Sequence, residues 1–125
     1  MIKVIYCLCR RGDLSPEEFR RYWRDVHGPL VQRHKEALGI RRYVQSHTDH
    51  GPMTERLGGF RGTGVPFDGV AEIWYESLGA LEAVGRSPEG RTASRELLED
   101  EQRFLDLTGS CIWIGEEVEI IPGSD

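Results

Sequence analysis

Two Ser-Pro-Glu triplets, at residues 15–17 and 87–89, each stand at the start of a helical pattern. A capping serine, a proline whose missing N–H costs nothing in the first turn and an early glutamate together mark a helix N-terminus. After the first triplet, Glu18 completes a capping box with Ser15. Phe19, Trp23, Val26, Leu30 and His34 then recur at steps of three and four, one side of a 3.6-residue repeat. This pattern runs to Leu38, where Gly39 is placed to end it. After the second triplet, Ala93, Leu97, Leu98, Phe104 and Leu105 supply the inward side.

Strand-like runs occupy residues 2–10, 40–49, 69–77 and 111–121, and "LGALEAV" reads as a short helix after the third. The order is βαββαβ. Two split right-handed βαβ units predict an α+β, ferredoxin-like fold: a four-stranded antiparallel sheet with its helices on one face. A chain of 125 residues suits one domain spanning 1–125. Between the second and third strands, "HGPMTERLGGFRGTGVPFDG" has no clear periodicity and reads as a long glycine-rich loop, a lid. The plan leaves one sheet face bare. Tyr, Trp and Val on such a face form an apolar patch that monomers avoid. The expectation is a homodimer in which a second copy covers that face and encloses a chamber.

The remaining bulk properties exclude function classes. A formal charge of −5 argues against a general nucleic-acid binder, which needs a basic face. No apolar run approaches the roughly 20 residues that cross a bilayer. The first residues, "MIKVIYCLCRR", lack a leader pattern, so the cytoplasm is the expected compartment. The three cysteines cannot all pair within one chain and are expected as buried thiols. Cys7 and Cys9 should share a strand face but lack ligand spacing, and "HTDH" puts its histidines on opposite faces, so no metal is expected.

Strand alternation selects the chamber walls. Tyr43, Gln45 and His47 share one face of the second strand, with Ile40, Arg42, Val44 and Ser46 on the other, and this strand can be read either way round; Glu72 and Trp74 share one face of the third. These mixed polar and aromatic sets suit a ligand chamber. In the first strand the choice between the faces of Tyr6 and Cys7 stays open.

The sequence resembles the EthD family. The resemblance is carried by "LSPEEFRRYWRDVHGPLV", "RRYVQSHT", "DGVAEIWYES" and "LLEDEQRF", which follow one another along nearly the whole chain. Phe19, Trp23, His27 and Pro29 match the first block, Tyr43 the second, Glu72 and Trp74 the third, and Asp100, Glu101 and Phe104 the fourth. The resemblance implies a dimeric α+β barrel, and an association with ether-degradation gene clusters and with dehydration of aromatic polyketides. Related barrels include cofactor-free cyclases, lactone isomerases and monooxygenases; fold does not choose among them.

Within the first helix, Pro29 deprives the Asp25 carbonyl of its helical partner, at about 3 kcal/mol in a helix interior. Gly28 adds roughly 1 kcal/mol relative to alanine. A kink near residue 28 is expected, with His27 at the break. Either Asp100 or its neighbour Glu101 is the inward carboxylate of the last helix and needs a partner, for which His27 is placed. Such a pair holds an imidazole as a general base or acid; it also serves simply to tie two helices. His47 and Glu72 form a second candidate acid–base pair. Trp23, Phe67, Trp74 and Phe104 supply aromatic walls, with Tyr43 and Gln45 as polar wall residues. The expected function is a cofactor-free lyase or isomerase, a dehydratase or cyclase, acting on a hydrophobic aromatic or polyketide-like carbonyl compound. The alternatives are a binding or accessory protein for a hydrophobic metabolite, and a monooxygenase that is cofactor-free or haem-dependent.

Overall fold

The structure is a computed structural model and describes residues 1–124. Strand β1 (Ile2–Leu8) leads into helix α1 (Pro16–Tyr22), a π-helical segment (Trp23–His27), α2 (Gly28–Arg33) and α3 (Lys35–Leu38). There follow β2 (Arg42–His47), α4 (Pro52–Arg61), β3 (Gly69–Tyr75), α5 (Leu78–Val84), α6 (Pro88–Glu101) and β4 (Cys111–Gly115). The strands form one antiparallel sheet in the order β2-β3-β1-β4, the ferredoxin-like plan expected from the element order. β4 is shorter than the 111–121 run suggested.

Both Ser-Pro-Glu starts are helix caps. Ser15 accepts from the Glu18 N–H while Glu18 bonds back to the Ser15 N–H, and Ser87 accepts from the Gly90 N–H. Gly39, at φ 64°, ends α3 in the left-handed conformation that glycine adopts without strain.

The break at residue 28 takes a particular form. The Gly28 N–H donates to the Trp23 carbonyl five residues back, so the turn carries one extra residue. That extra residue resets the inward stripe to a strict spacing of four: Phe19, Trp23, His27 and Val31 are buried. Val26, expected on that stripe, is 47% exposed instead. An uninterrupted 3.6-residue helix would drift by about 40° at each step of four, and the π turn absorbs the drift.

Register fixes the sheet faces. Tyr43 lies opposite Ile73, Gln45 opposite Ala71 and His47 opposite Gly69, on the face that the helices cover. Arg42 lies opposite Trp74 and Val44 opposite Glu72, on the bare face. Tyr6, opposite Ala71, joins the helix side, and Cys7, opposite Cys111, the bare side. Cys9 falls beyond β1, so the expected Cys7–Cys9 face does not exist.

Leu8, Phe19, Trp23, Ala71, Phe104 and Leu105 make the core cluster between sheet and helices. The segment expected to be a loop contains α4, capped by Gly62 at φ 69°. The helix buries no residue, and Met53, Leu57 and Phe60 lie exposed along it. Among the described residues no helix is long and apolar enough to cross a membrane.

Candidate active site

Between the sheet and the helices lies a cavity of about 70 Å³. Its apolar walls come from Leu8, Val31, Ala71, Ile73, Phe104 and Leu105, and its polar groups are Tyr6, His27, Tyr43 and Glu101. The volume is about half of the roughly 150 Å³ that holds benzene in an engineered apolar cavity. It therefore accepts the end of a ligand and not a fused-ring body. An outer groove of about 390 Å³ shares Val31, Ile40 and Tyr43 with the cavity and extends past Gly28 and Lys35.

His27 is delivered to this cavity by the π segment. Its Nδ1 lies 2.8 Å from Asp100 Oδ2, and both residues are buried. Asp100 also accepts the Tyr22 hydroxyl at 2.5 Å and an Arg103 N–H at 3.0 Å. Burial by itself would raise the Asp100 carboxyl. The hydrogen bonds from Tyr22, His27 and Arg103 outweigh it and hold the group below the usual carboxylate range. Burial pushes the His27 imidazole below its ordinary value, with Asp100 opposing. An ionised carboxylate only accepts hydrogen bonds, so Nδ1 carries the proton and Nε2 keeps its lone pair. Nε2 has no hydrogen bond to a described residue, yet it is not sealed. His47 Nδ1 is the one side-chain polar atom found both buried and unpartnered among the described residues. His27 lines the cavity, and that is where Nε2 opens.

A second polar chain runs along β2. His47 Nε2 lies 2.8 Å from Gln45 Oε1, and the Gln45 amide donates to the Trp23 carbonyl at 3.0 Å and to the Tyr43 oxygen at 3.1 Å. The Trp23 carbonyl is thus held from two sides, by the π-turn N–H and by Gln45. Tyr43 lines the cavity, and its oxygen accepts from Gln45, which leaves its own O–H to donate. Burial raises the Tyr43 phenol, which keeps it protonated.

The candidate residues thus fall into three places. His27, Trp23, Tyr43 and Phe104 line the cavity; Asp100 stands directly behind His27, and Gln45 behind Tyr43. His47 lines neither the cavity nor the groove. Its ring packs on Trp23 at 4.4 Å, and burial, with Arg20 and Arg24 nearby, lowers its imidazole. Glu72 and Trp74 stand on the opposite face of the sheet. Glu72 is paired with Lys3 at 2.5 Å, and Arg42 lies over the Trp74 ring at 4.7 Å. His47 and Glu72 are therefore not a pair, because the sheet separates them. Phe67, 38% exposed, belongs to the surface segment before β3 and does not reach the cavity. The five wall residues expected around one chamber stand on two faces: Tyr43, Gln45 and His47 on the helix side, where Gln45 bonds to the π segment, and Glu72 and Trp74 on the bare side. Both Asp100 and Glu101 face inward, toward different partners. Tyr6 and Tyr22 were not singled out, and only their spacing from apolar neighbours on a strand and a helix hinted at burial.

Comparison with known proteins places this geometry. The EthD domain matches residues 11–108. Over 118 residues the chain is 25% identical to Decarboxylase AgnL1 of Paecilomyces divaricatus, covering 92% of this chain and 77% of that protein. An EthD family protein from Bacillus halodurans superposes with a TM-score of 0.62 at 21% identity, covering 94% of this chain and 99% of that one. An EthD-like protein from Ralstonia eutropha gives 0.62 at 17% identity, over 96% and 94% of the two chains. SnoaB, a cofactor-independent oxygenase from Streptomyces nogalater, gives 0.57 at 11% identity, over 98% and 97%. These structural likenesses establish the shared fold.

Proposed function

The chain belongs to the EthD domain family, and from that premise we propose that it is a lyase- or isomerase-type enzyme acting on a hydrophobic carbonyl compound. The observation that carries this reading is the buried His27, its Nδ1 committed to Asp100 and its Nε2 turned to an apolar cavity. A neutral imidazole so held is a general base. It removes a proton alpha to a carbonyl seated in the cavity, while the Tyr43 hydroxyl donates to the carbonyl oxygen as negative charge builds there. The ligand's reacting end occupies the cavity and its flat body the outer groove. These steps are proton transfers among side chains and require no cofactor.

A second reading is loss of carbon dioxide, supported by the 25% identity to a protein named a decarboxylase. Both reactions pass through an enolate-like charge that Tyr43 would stabilise, and they differ in whether His27 must abstract a carbon-bound proton.

The bare face of the sheet, with Ile5, Val44, Val70, Trp74 and Trp113, is read as the seat of a second copy. In this arrangement the homodimer stiffens the sheet from behind and does not build the chamber.

The test uses the β-hydroxy ketone formed from benzaldehyde and acetone, incubated with the protein in deuterium oxide. Deuterium uptake at the carbon between the two oxygens, abolished in His27→Gln, supports the base assignment. Uptake equal in the two proteins contradicts it.

A further inference from the structure

Helix α6 presents two successive carboxylates, and only one of them is engaged by His27. Glu101 lines the cavity, and its Oε1 accepts the Tyr6 hydroxyl at 2.7 Å. Its Oε2 has no hydrogen bond to a described residue, and Glu101 and His27 line the same cavity. The groups facing Glu101 are Tyr6 from β1, Tyr43 from β2, His27 from the π segment and Asp100 beside it. No cationic side chain is among them. Burial first, then the nearby Asp100 charge, pushes the Glu101 carboxyl above the usual range, with the Tyr6 bond in opposition. A protonated Glu101 keeps the Tyr6 bond on Oε1 and has an O–H on Oε2 to give.

We propose that Glu101, held in place by Tyr6, is the proton donor of this site, and that its substrates are β-hydroxy carbonyl compounds that lose water. The inference rests on His27 being the base. His27 Nε2 takes the proton from the carbon alpha to the carbonyl. The electrons of that C–H bond pass to the carbonyl oxygen, giving an enolate held by the Tyr43 hydroxyl, and then return to form the carbon–carbon double bond as the β carbon–oxygen bond breaks. The departing hydroxyl takes the Glu101 proton and leaves as water. His27 then returns its proton to Glu101 through the released water, so the enzyme is unchanged and the net reaction is loss of one water. Glu101 thereby fills the acid role that the sequence suggested for Glu72.

Two readouts on the benzaldehyde–acetone ketone separate the acid from the base. Deuterium uptake alpha to the carbonyl reports the base alone, and formation of benzalacetone reports base and acid together. Glu101→Gln is expected to lower benzalacetone formation at least about tenfold while leaving deuterium uptake within about twofold of wild type. His27→Gln is expected to abolish both. Dehydration that survives in Glu101→Gln, or a loss of both readouts in equal measure, overturns the role given to Glu101. Deuterium uptake that is indifferent to His27→Gln overturns the base instead. A substrate-free measurement decides the matter if wild type acts on neither readout. The carbon-13 signal of the Glu101 carboxyl, assigned by its absence in Glu101→Gln, is expected to titrate with a midpoint above the ordinary glutamate value. Tyr6→Phe is expected to move its midpoint upward. A midpoint at or below the ordinary glutamate value overturns the proposal.

Discussion

His27 Nδ1 and Asp100 Oδ2 lie 2.8 Å apart across the interface between the π segment and the last turn of α6. The bond joins residues 73 positions apart in sequence. It orients the imidazole and also ties the two helices, and the two roles separate on substitution. Asp100→Asn keeps the shape but disturbs the tautomer. Turnover is expected to fall by about 10²-fold or more. Asp100→Ala strands the Tyr22 and His27 donors in a buried site and is expected to cost roughly 3 kcal/mol by urea unfolding.

Stability should depend on pH in a definite direction. Both His27 and Asp100 titrate below their ordinary values in the fold. Below the usual imidazole value of 6.5, the unfolded chain binds a proton that folded His27 refuses, so stability is complete above that pH and declines beneath it. A second decline follows below the usual aspartate value of 3.8, where the unfolded Asp100 takes up a proton that the fold disfavours. Urea midpoints measured from neutral to acid pH should trace both steps. His27→Gln should flatten the first and shrink the second, because the His27 bond is one of the three that hold Asp100 down.

The π turn should be a compromise between stability and activity. Pro29→Ala restores an N–H for the Asp25 carbonyl and replaces the poorest helix former with the best. Returning the turn to α-helical register removes one residue of slack and rotates His27 by about 100° relative to Val31. The variant is expected to melt higher, by an amount equivalent to about 1 kcal/mol, and to lose at least about tenfold in turnover. Thermal melts and deuterium uptake on the same preparation check both halves.

Substitutions on the bare face should act on assembly and not on the cavity. Trp113, directly opposite Ile5 and 47% exposed, lies on that face. Trp113→Glu is expected to shift sedimentation from dimer toward monomer while His27 keeps its base activity. A wild-type protein that sediments as a monomer contradicts the dimer.

The residues that announce backbone geometry were the most legible. Ser15 and Ser87 marked two helix starts, Gly39 an end, and Gly28-Pro29 a break, because caps and turns depend on a few local atoms. Side-chain direction was harder to read. In β2 the alternatives were Tyr43, Gln45 and His47 against Arg42, Val44 and Ser46, and both sets mix polar with apolar atoms. Only the Trp23 carbonyl and ring, brought close by folding, decide that Gln45 and His47 turn inward. The π turn likewise moved burial from Val26 to His27, since one added residue shifts the helical phase beyond what a fixed 3.6-residue repeat describes. α4 escaped notice because Gly58 and Gly59 interrupt it and its apolar side chains face outward. The choice between Asp100 and Glu101 dissolved, because the two inward-facing carboxylates have different partners.

Nitrogen-15 NMR of the His27 ring at neutral pH tests the central claim most directly. The account predicts a single neutral tautomer, protonated at Nδ1 and bare at Nε2, whose Nε2 signal moves when a carbonyl ligand enters the cavity. A doubly protonated ring, or a proton resting on Nε2, would contradict it, for the base would then lack the lone pair on which the proposed chemistry turns.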